Sequence, residues 1–198
     1  MTTAPPELIY EIADGIGVIT LNRPEARNAL TFGMYDRLVE ICDGLKIGGP
    51  VKALIITGAG GKAFAAGTDI SQFRAFKTPE QGIGYEKRAD EIFKAIEACP
   101  IPIIAAISGA CTGGGAGISA CCDIRLGTRD MKWGFPIART LGNCLSAATL
   151  KRLVALLGQS KTVDLLFTSR LMEADEALAC GLVKELHADH AAVLARAH

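Results

Sequence analysis

Two glycine-rich stretches hold the residues best suited to chemistry. Residues 109–123 read G-A-C-T-G-G-G-A-G-I-S-A-C-C-D, and residues 59–71 read A-G-G-K-A-F-A-A-G-T-D-I-S. The first follows the apolar run I-P-I-I-A-A-I at 101–107, which has the length and β-branched content of a buried strand. Gly113, Gly114 and Gly115 then turn the chain into a segment of small residues. A strand-to-helix turn of this kind has two uses. It opens backbone conformations closed to other residues, and it lets a ligand approach amide groups at a helix N-terminus, where negative charge is stabilised. The same glycines could equally serve only the close packing of a buried helix. The second stretch also leaves a strand, and it enters a short helix with Asp69 near its start.

Those turns must be carried by a sizeable core, which the composition supplies. The chain has 198 residues, 49% of them hydrophobic, enough for one domain or a tight pair of subdomains. Lys plus Arg and Asp plus Glu balance at 21 each with no basic run, so nucleic acid is not an expected partner. Seven cysteines form no C-x-x-C pair, and no histidine stands at metal-ligand spacing. They predict reduced, mostly buried thiols in a cytoplasmic protein without a metal site. The opening M-T-T-A-P-P-E-L-I-Y-E lacks the charge and apolar core of a signal peptide. Residues 98–122 are free of charge, but Pro100, Pro102 and the glycine triplet break the run into a buried strand and a buried helix rather than a membrane span.

Strand and helix patterns alternate along the chain. Residues 8–12 and 16–22 predict a hairpin around Asp14-Gly15. Thr31 is a candidate cap for a helix with Met34, Leu38, Ile41 and Leu45 on one face, and 51–57 predicts the next strand. Thr78-Pro79-Glu80-Gln81 is a capping box ahead of a helix whose face holds Tyr85, Ala89, Ile92, Phe93 and Ile96. After the triplet come a short strand at 123–127, an irregular segment beyond Ile137, and helices at 145–157, from a Ser160 cap to Phe167, and at 173–180. A strand at 182–186 and the start of a helix at 191–197 close the pattern.

L-N-R-P-E-A-R-N-A-L at 21–30, I-T-G-A-G-G-K-A-F-A-A-G-T-D-I at 56–70, the triplet segment, and S-R-L-M-E-A-D-E-A-L-A-C-G-L-V at 169–183 together resemble the enoyl-CoA hydratase/isomerase (crotonase) superfamily. The resemblance implies an α/β fold, a crotonase-like spiral of ββα units over 1–198, followed in the family by a C-terminal helical region that builds trimers and is largely absent from these residues. It implies an acyl-CoA thioester as partner, with coenzyme A part of the substrate and no separate cofactor, and a trimer-based homo-oligomer. Two backbone N–H groups, carried over to Thr68 and Gly114, would stabilise a thioester enolate. Ala26, Arg27, Ala29, Ala66, Gly67, Asp69, Ile70, Gly113 and Ile137 would line the substrate.

The departures bear on the reaction. Hydratases of this family carry glutamates where this chain has Gly117 and Ile137, so ordinary hydration is not expected. An isomerase, decarboxylase or thioester hydrolase using the same oxyanion hole remains open, as does a non-catalytic acyl-CoA-binding or assembly subunit. Arg139, Thr140, Asn143, Cys144 and Ser146 fall in the loop that the resemblance places beside the acyl pocket. Arg139 could neutralise a substrate carboxylate or be a surface arginine. Cys144 has no histidine before residue 187 to activate it. Glu86 and Asp90 read as a solvated helix face, Asp69 as a helix anchor, and His187, His190 and His198 as surface groups. Trp133 and Phe135 suit either a pocket wall or the core.

Overall fold

The computed structural model describes residues 5–142 and 144–198. Strands β1 (Leu8–Ala13) and β2 (Ile16–Leu21) form the expected hairpin, with Ala13 opposite Ile16 and positive φ at both Asp14 and Gly15, the turn that matches strand twist. Helix α1 (Phe32–Gly44) follows, its Thr31 hydroxyl accepting from the Met34 amide. From there the chain repeats one unit: a strand, a second short strand, then a helix. The first unit is β3 (Ala53–Gly58), β4 (Ala63–Ala65) and, after a 3-10 turn at Ile70–Ala75, α2 (Pro79–Glu97) with its capping box. The second is β5 (Ile103–Ile107), β6 (Ala110–Thr112) and α3 (Gly114–Cys121). The third is β7 (Ile124–Thr128), β8 (Lys132–Gly134) and α4 (Ile137–Leu141).

Helices α5 (Ala147–Leu157) and α6 (Gln159–Thr168), strand β9 (Met172–Glu173), helix α7 (Ala174–Ala179), strand β10 (Glu185–His187) and helix α8 (His190–Ala197) complete the described chain. The first strand of each unit enters a six-stranded sheet of order β1-β2-β3-β5-β7-β10, and the second enters a four-stranded sheet of order β4-β6-β8-β9. Among the described strands only the outer pairs β1/β2 and β8/β9 are antiparallel. The result is the ββα spiral that the family resemblance implies.

Interior strands of the large sheet are apolar on both faces, as parallel strands covered on both sides must be. Leu54 and Ile56 face the main core, while Ile55 turns with Ala106 and Leu126 toward Val193 and Ala197 of α8. Residues 115–121 of α3 are all buried, so the uncharged run at 98–122 is a strand pair and an interior helix. No described helix is long and apolar enough to cross a membrane.

Several expectations need correction. The whole small sheet was not expected: β4, β6 and β8 have three residues each and β9 two, too short to show a period. Ser160 is no cap, because α6 begins one residue earlier behind Gly158, whose φ of 76° ends α5. The stretch beyond Ile137 contains α4 rather than irregular chain. Of the two settings left open for Trp133, the structure shows the core: it is fully buried, with its indole N–H donated to Ser119 Oγ at 2.9 Å and its ring edge-to-face with Phe135.

Candidate active site

Residues 66–69 lie along residues 27–30. The Ala66 amide donates to Arg27 O at 3.0 Å, the Leu30 amide to Gly67 O at 2.8 Å and the Asp69 amide to Leu30 O at 2.9 Å. Residues 23–28 are themselves shaped by Asn28, fully buried at a φ of 55°. Its side chain donates to Ala59 O and Ala63 O at 3.0 and 2.7 Å, and accepts from the Arg23 amide at 3.0 Å. Asn28→Ala orphans three backbone groups, one buried and two part-buried, and is expected to cost about 2–4 kcal/mol, read from the urea midpoint at unchanged slope. Asn28→Gly relieves the φ but not the lost bonds, so it should recover only a small part.

Opposite this strap stands the triplet, and each glycine has its own reason. Gly113 has a φ of 53°, open to glycine, and its amide donates to Gly134 O at 3.0 Å. A β-carbon on Gly114 would lie 2.1 Å from the Tyr35 hydroxyl, and one on Gly115 would lie 2.5 Å from Ala65 O. The glycines therefore let α3 seat directly on β4 and on the Thr68 loop. The two loops meet. A β-carbon at Gly113 would be 3.4 Å from Gly67 Cα, and one at Gly114 would be 3.2 Å from Thr68 Oγ1. Among the described residues neither the Thr68 nor the Gly114 amide donates to an acceptor of the chain. Two unspent amides thus lie on loops that meet at the N-terminal end of a buried helix, a setting that can receive negative charge on an oxygen.

Three hydroxyls gather at the same point. Thr68 Oγ1 is 2.9 Å from the Tyr35 hydroxyl and 2.8 Å from that of Tyr85. Burial pushes both phenols above their ordinary pKa, so they stay protonated. Phe73 meets the Tyr85 ring edge-on at 4.7 Å, and Phe32 and Phe76 complete the aromatic cluster on that side. Tyr35 was not singled out in the sequence and Tyr85 only as an apolar helix position. The signal available was a phenol on the buried stripe of each helix, which needs a polar partner.

Other candidates are drawn elsewhere. Asp69 accepts from Ser71 Oγ at 2.7 Å, from Arg23 at 2.9 Å and from Ser71 N at 3.0 Å, which hold its carboxyl below the usual range, so its side chain anchors the 3-10 turn. Ile70 is exposed, as are Arg27 at the end of the first 3-10 turn and Arg139 in the last turn of α4; Ala26, Ala29 and Ile137 are half-buried. Asp90 is not a solvated group: it is half-buried and accepts from Ser146 Oγ at 2.6 Å, tying α2 to the cap of α5. Glu86 is exposed, as expected. His187 and His190 are half-buried rather than surface groups, with His190 Nδ1 2.9 Å from Ser108 Oγ, whereas His198 is exposed. Cys144 is exposed, Thr140 donates to Pro136 O, and Asn143 lies outside the described residues. Cys111 and Cys121, pushed up to about 12 by burial, are inert thiols.

Gly117 faces an aromatic wall. A β-carbon there would be 2.3 Å from Phe93 Cζ and 2.7 Å from Cε1, so the α2 ring fills the space into which a side chain at 117 would project.

Residues 11–198 match the profile of the enoyl-CoA hydratase/isomerase family. The chain belongs to that family. This enoyl-CoA hydratase/isomerase member is 35% identical over 179 residues to the short-chain-enoyl-CoA hydratase of Clostridium acetobutylicum, covering 90% of this chain and 68% of that one. It is 36% identical over 188 residues to the mitochondrial delta(3,5)-delta(2,4)-dienoyl-CoA isomerase of Mus musculus, covering 89% of this chain but only 57% of the isomerase. Among solved structures, an enoyl-CoA hydratase/carnithine racemase from Magnetospirillum magneticum superposes with a TM-score of 0.89 at 33% identity, over 98% of this chain and 73% of that one. The family is one of acyl-CoA enzymes, and the spiral is the crotonase-like fold.

Proposed function

We propose that this enoyl-CoA hydratase/isomerase member binds an acyl-CoA thioester with its carbonyl oxygen between the Thr68 and Gly114 amides and stabilises the enolate formed from it. The observation that carries this reading is the meeting of the two glycine-rich loops with both amides unspent. As electron density moves onto the thioester oxygen, fixed N–H dipoles in a water-poor site oppose the charge without having to reorganise. Gly113, Ala66 and Gly67 shape the approach to that point, and Ala26, Arg27 and Ala29, in the turn tied to the loop through Arg27 O and the Ala66 amide, offer backbone to the coenzyme A portion. Asp69 and Ile70 follow on the same loop, Ile137 stands on the acyl side, and exposed Arg139 is available to a substrate carboxylate. Coenzyme A enters as part of the substrate, with no separate cofactor.

The reading departs from an ordinary crotonyl-CoA hydratase because Gly117 and Ile137 offer no carboxylate. That same departure favours a second reading, an acyl-CoA-binding or assembly subunit that keeps the hole and has lost the acid and base. A panel of acyl-CoAs of different length, unsaturation and α-substitution separates the two. Consumption of any member supports the enzyme; binding of several by calorimetry with no consumption supports the subunit; no binding at all overturns both. Assembly as a trimer-based homo-oligomer and a cytoplasmic setting complete the proposal. Exposed Val163 and Phe167 on α6 supply apolar area for the first, and free thiols suit the second.

A further inference from the structure

Helices α1 and α2 lie side by side and run in the same direction. The Phe32 and Tyr85 rings are 5.8 Å apart near the start, Asp36 pairs with Arg88 a turn later, and Val39 and Glu40 line one groove with Glu91 and Ile92 beyond that. The C-terminal ends of the two helices therefore coincide, and each carries a cysteine. Cys42 stands in the last turn of α1, and Cys99 follows the end of α2 in a turn closed by its own amide on Ile96 O at 3.2 Å. Both side chains belong to the main apolar cluster, both lie within electrostatic reach of Tyr10 on β1, and the two thiols share a hydrogen bond. Sulfurs in contact already have side chains that point toward each other, the condition for bridging them without moving the backbone far.

The two thiols differ in access. Cys42 is 1% exposed, whereas Cys99 is half-buried between exposed Ala98 and Pro100. Other thiols are engaged elsewhere: Cys111 Sγ donates to Ser119 Oγ, Cys122 Sγ to Ile118 O and Cys180 Sγ to Met172 Sδ. An outer thiol that meets solvent and an inner one held against it are the two parts that a thiol–disulfide exchange needs.

We propose that Cys42 and Cys99 form a redox pair, which a small disulfide such as oxidised glutathione closes into a bond between the end of α1 and the end of α2. Cys99 gives its proton to solvent, and its thiolate attacks one sulfur of the small disulfide, expelling one glutathione thiolate. Cys42 then loses its proton and attacks Cys99 Sγ, which forms the protein S–S bond, breaks the mixed disulfide and expels the second glutathione. Two electrons pass from the protein thiols to the small disulfide, and excess reduced glutathione reverses both steps. Burial, and after it the neighbouring Cys99 thiol, push Cys42 up to about 12. The second cause vanishes once Cys99 is in the mixed disulfide, and contact between the sulfurs supplies the high effective concentration that a sparse thiolate requires. Once closed, the bond fastens the helix that carries Tyr35 to the helix that carries Tyr85. The proposal is independent of the acyl-CoA reading, and its test needs no substrate.

The purified protein is equilibrated with oxidised and reduced glutathione in varied ratio at mildly alkaline pH, quenched in acid, unfolded, alkylated and digested for mass spectrometry. Oxidising mixtures should give a Cys42–Cys99 linked peptide pair that reduced glutathione removes, and the linked protein should melt about 5–10 °C higher than the reduced one. Cys42→Ala should trap glutathione on Cys99, while Cys99→Ala should leave Cys42 open to alkylation after unfolding. Glutathione that stays on Cys99 in the unaltered protein, with Cys42 still alkylated, overturns the pair. So does oxidation confined to exposed Cys144. A linked peptide accompanied by a lower melting temperature places closure in the unfolded chain and overturns it as well. Should Cys42→Ala not fold, Cys99→Ala at its half-buried position supplies the control.

Discussion

Hydration of crotonyl-CoA should run about 10²–10⁴-fold or more below the rate of a competent hydratase, because a positioned acid or base is worth that much and, on the proposed reading, neither Gly117 nor Ile137 supplies one. The structure sharpens this expectation. A glutamate at Gly117 has nowhere to go, since its β-carbon alone would be 2.3 Å from the Phe93 ring. Gly117→Glu with Ile137→Glu should therefore gain little and lower the melting temperature, overpacking a core position and pressing a carboxylate against an aromatic face. Adding Phe93→Ala opens the volume, and the triple variant is the one expected to gain hydration. The assay is loss of enoyl absorbance by the purified protein. Turnover of the unaltered protein at about 1–10³ s⁻¹, the usual range for enzymes, would show that another group holds the water. Asp90, half-buried on α2, is then the first to replace.

Removal of the Gly114 amide should abolish most of whatever turnover the acyl-CoA panel reveals. Gly114 is the first residue of α3, a position where a helix tolerates proline, so Gly114→Pro deletes the donor with little cost to the helix itself. Its β-carbon would still strike the Tyr35 hydroxyl, and for that reason the comparison belongs in a Tyr35→Phe background. Loss of one such donor typically costs about 10²–10³ in kcat. Calorimetry of the same variant with a saturated acyl-CoA should show a far smaller loss, because ground-state binding leans less on that amide. An unchanged kcat would remove Gly114 from the chemistry.

The large sheet and the long helices were legible because burial leaves a period or an unbroken apolar run. Leu54, Ile55 and Ile56 announce an interior parallel strand, and Thr31 and the Thr78–Gln81 box announce helix starts that the hydrogen bonds bear out. The small sheet was not, for its strands have two or three residues each and are ordered by their neighbours, parallel from β4 to β8 and antiparallel at β8/β9, rather than by their own pattern. Within the site, the glycine turns could be read from their residues. The hydroxyl string could not, since Tyr35 and Tyr85 stand 33 and 17 residues from Thr68 and come together only when α1 and α2 pack beside the loop. The Ser108–His190 contact spans 82 residues and was equally hidden.

The contact between Gly117 and Phe93 also constrains the order in which substitutions can accumulate. A glutamate arriving first at 117 meets the ring, an overpacking that typically costs about 1–3 kcal/mol before the buried charge is counted. Truncation of Phe93 arriving first empties a buried site, typically at about 3–5 kcal/mol. Each change alone is damaging, while together each relieves the other, so the pair should show a large favourable coupling in a double-mutant cycle. With native stabilities of only about 5–15 kcal/mol, either single step consumes much of the margin. A path between a chain with glycine at 117 and one with a carboxylate there thus runs through a fragile intermediate, unless stabilising changes elsewhere come before it.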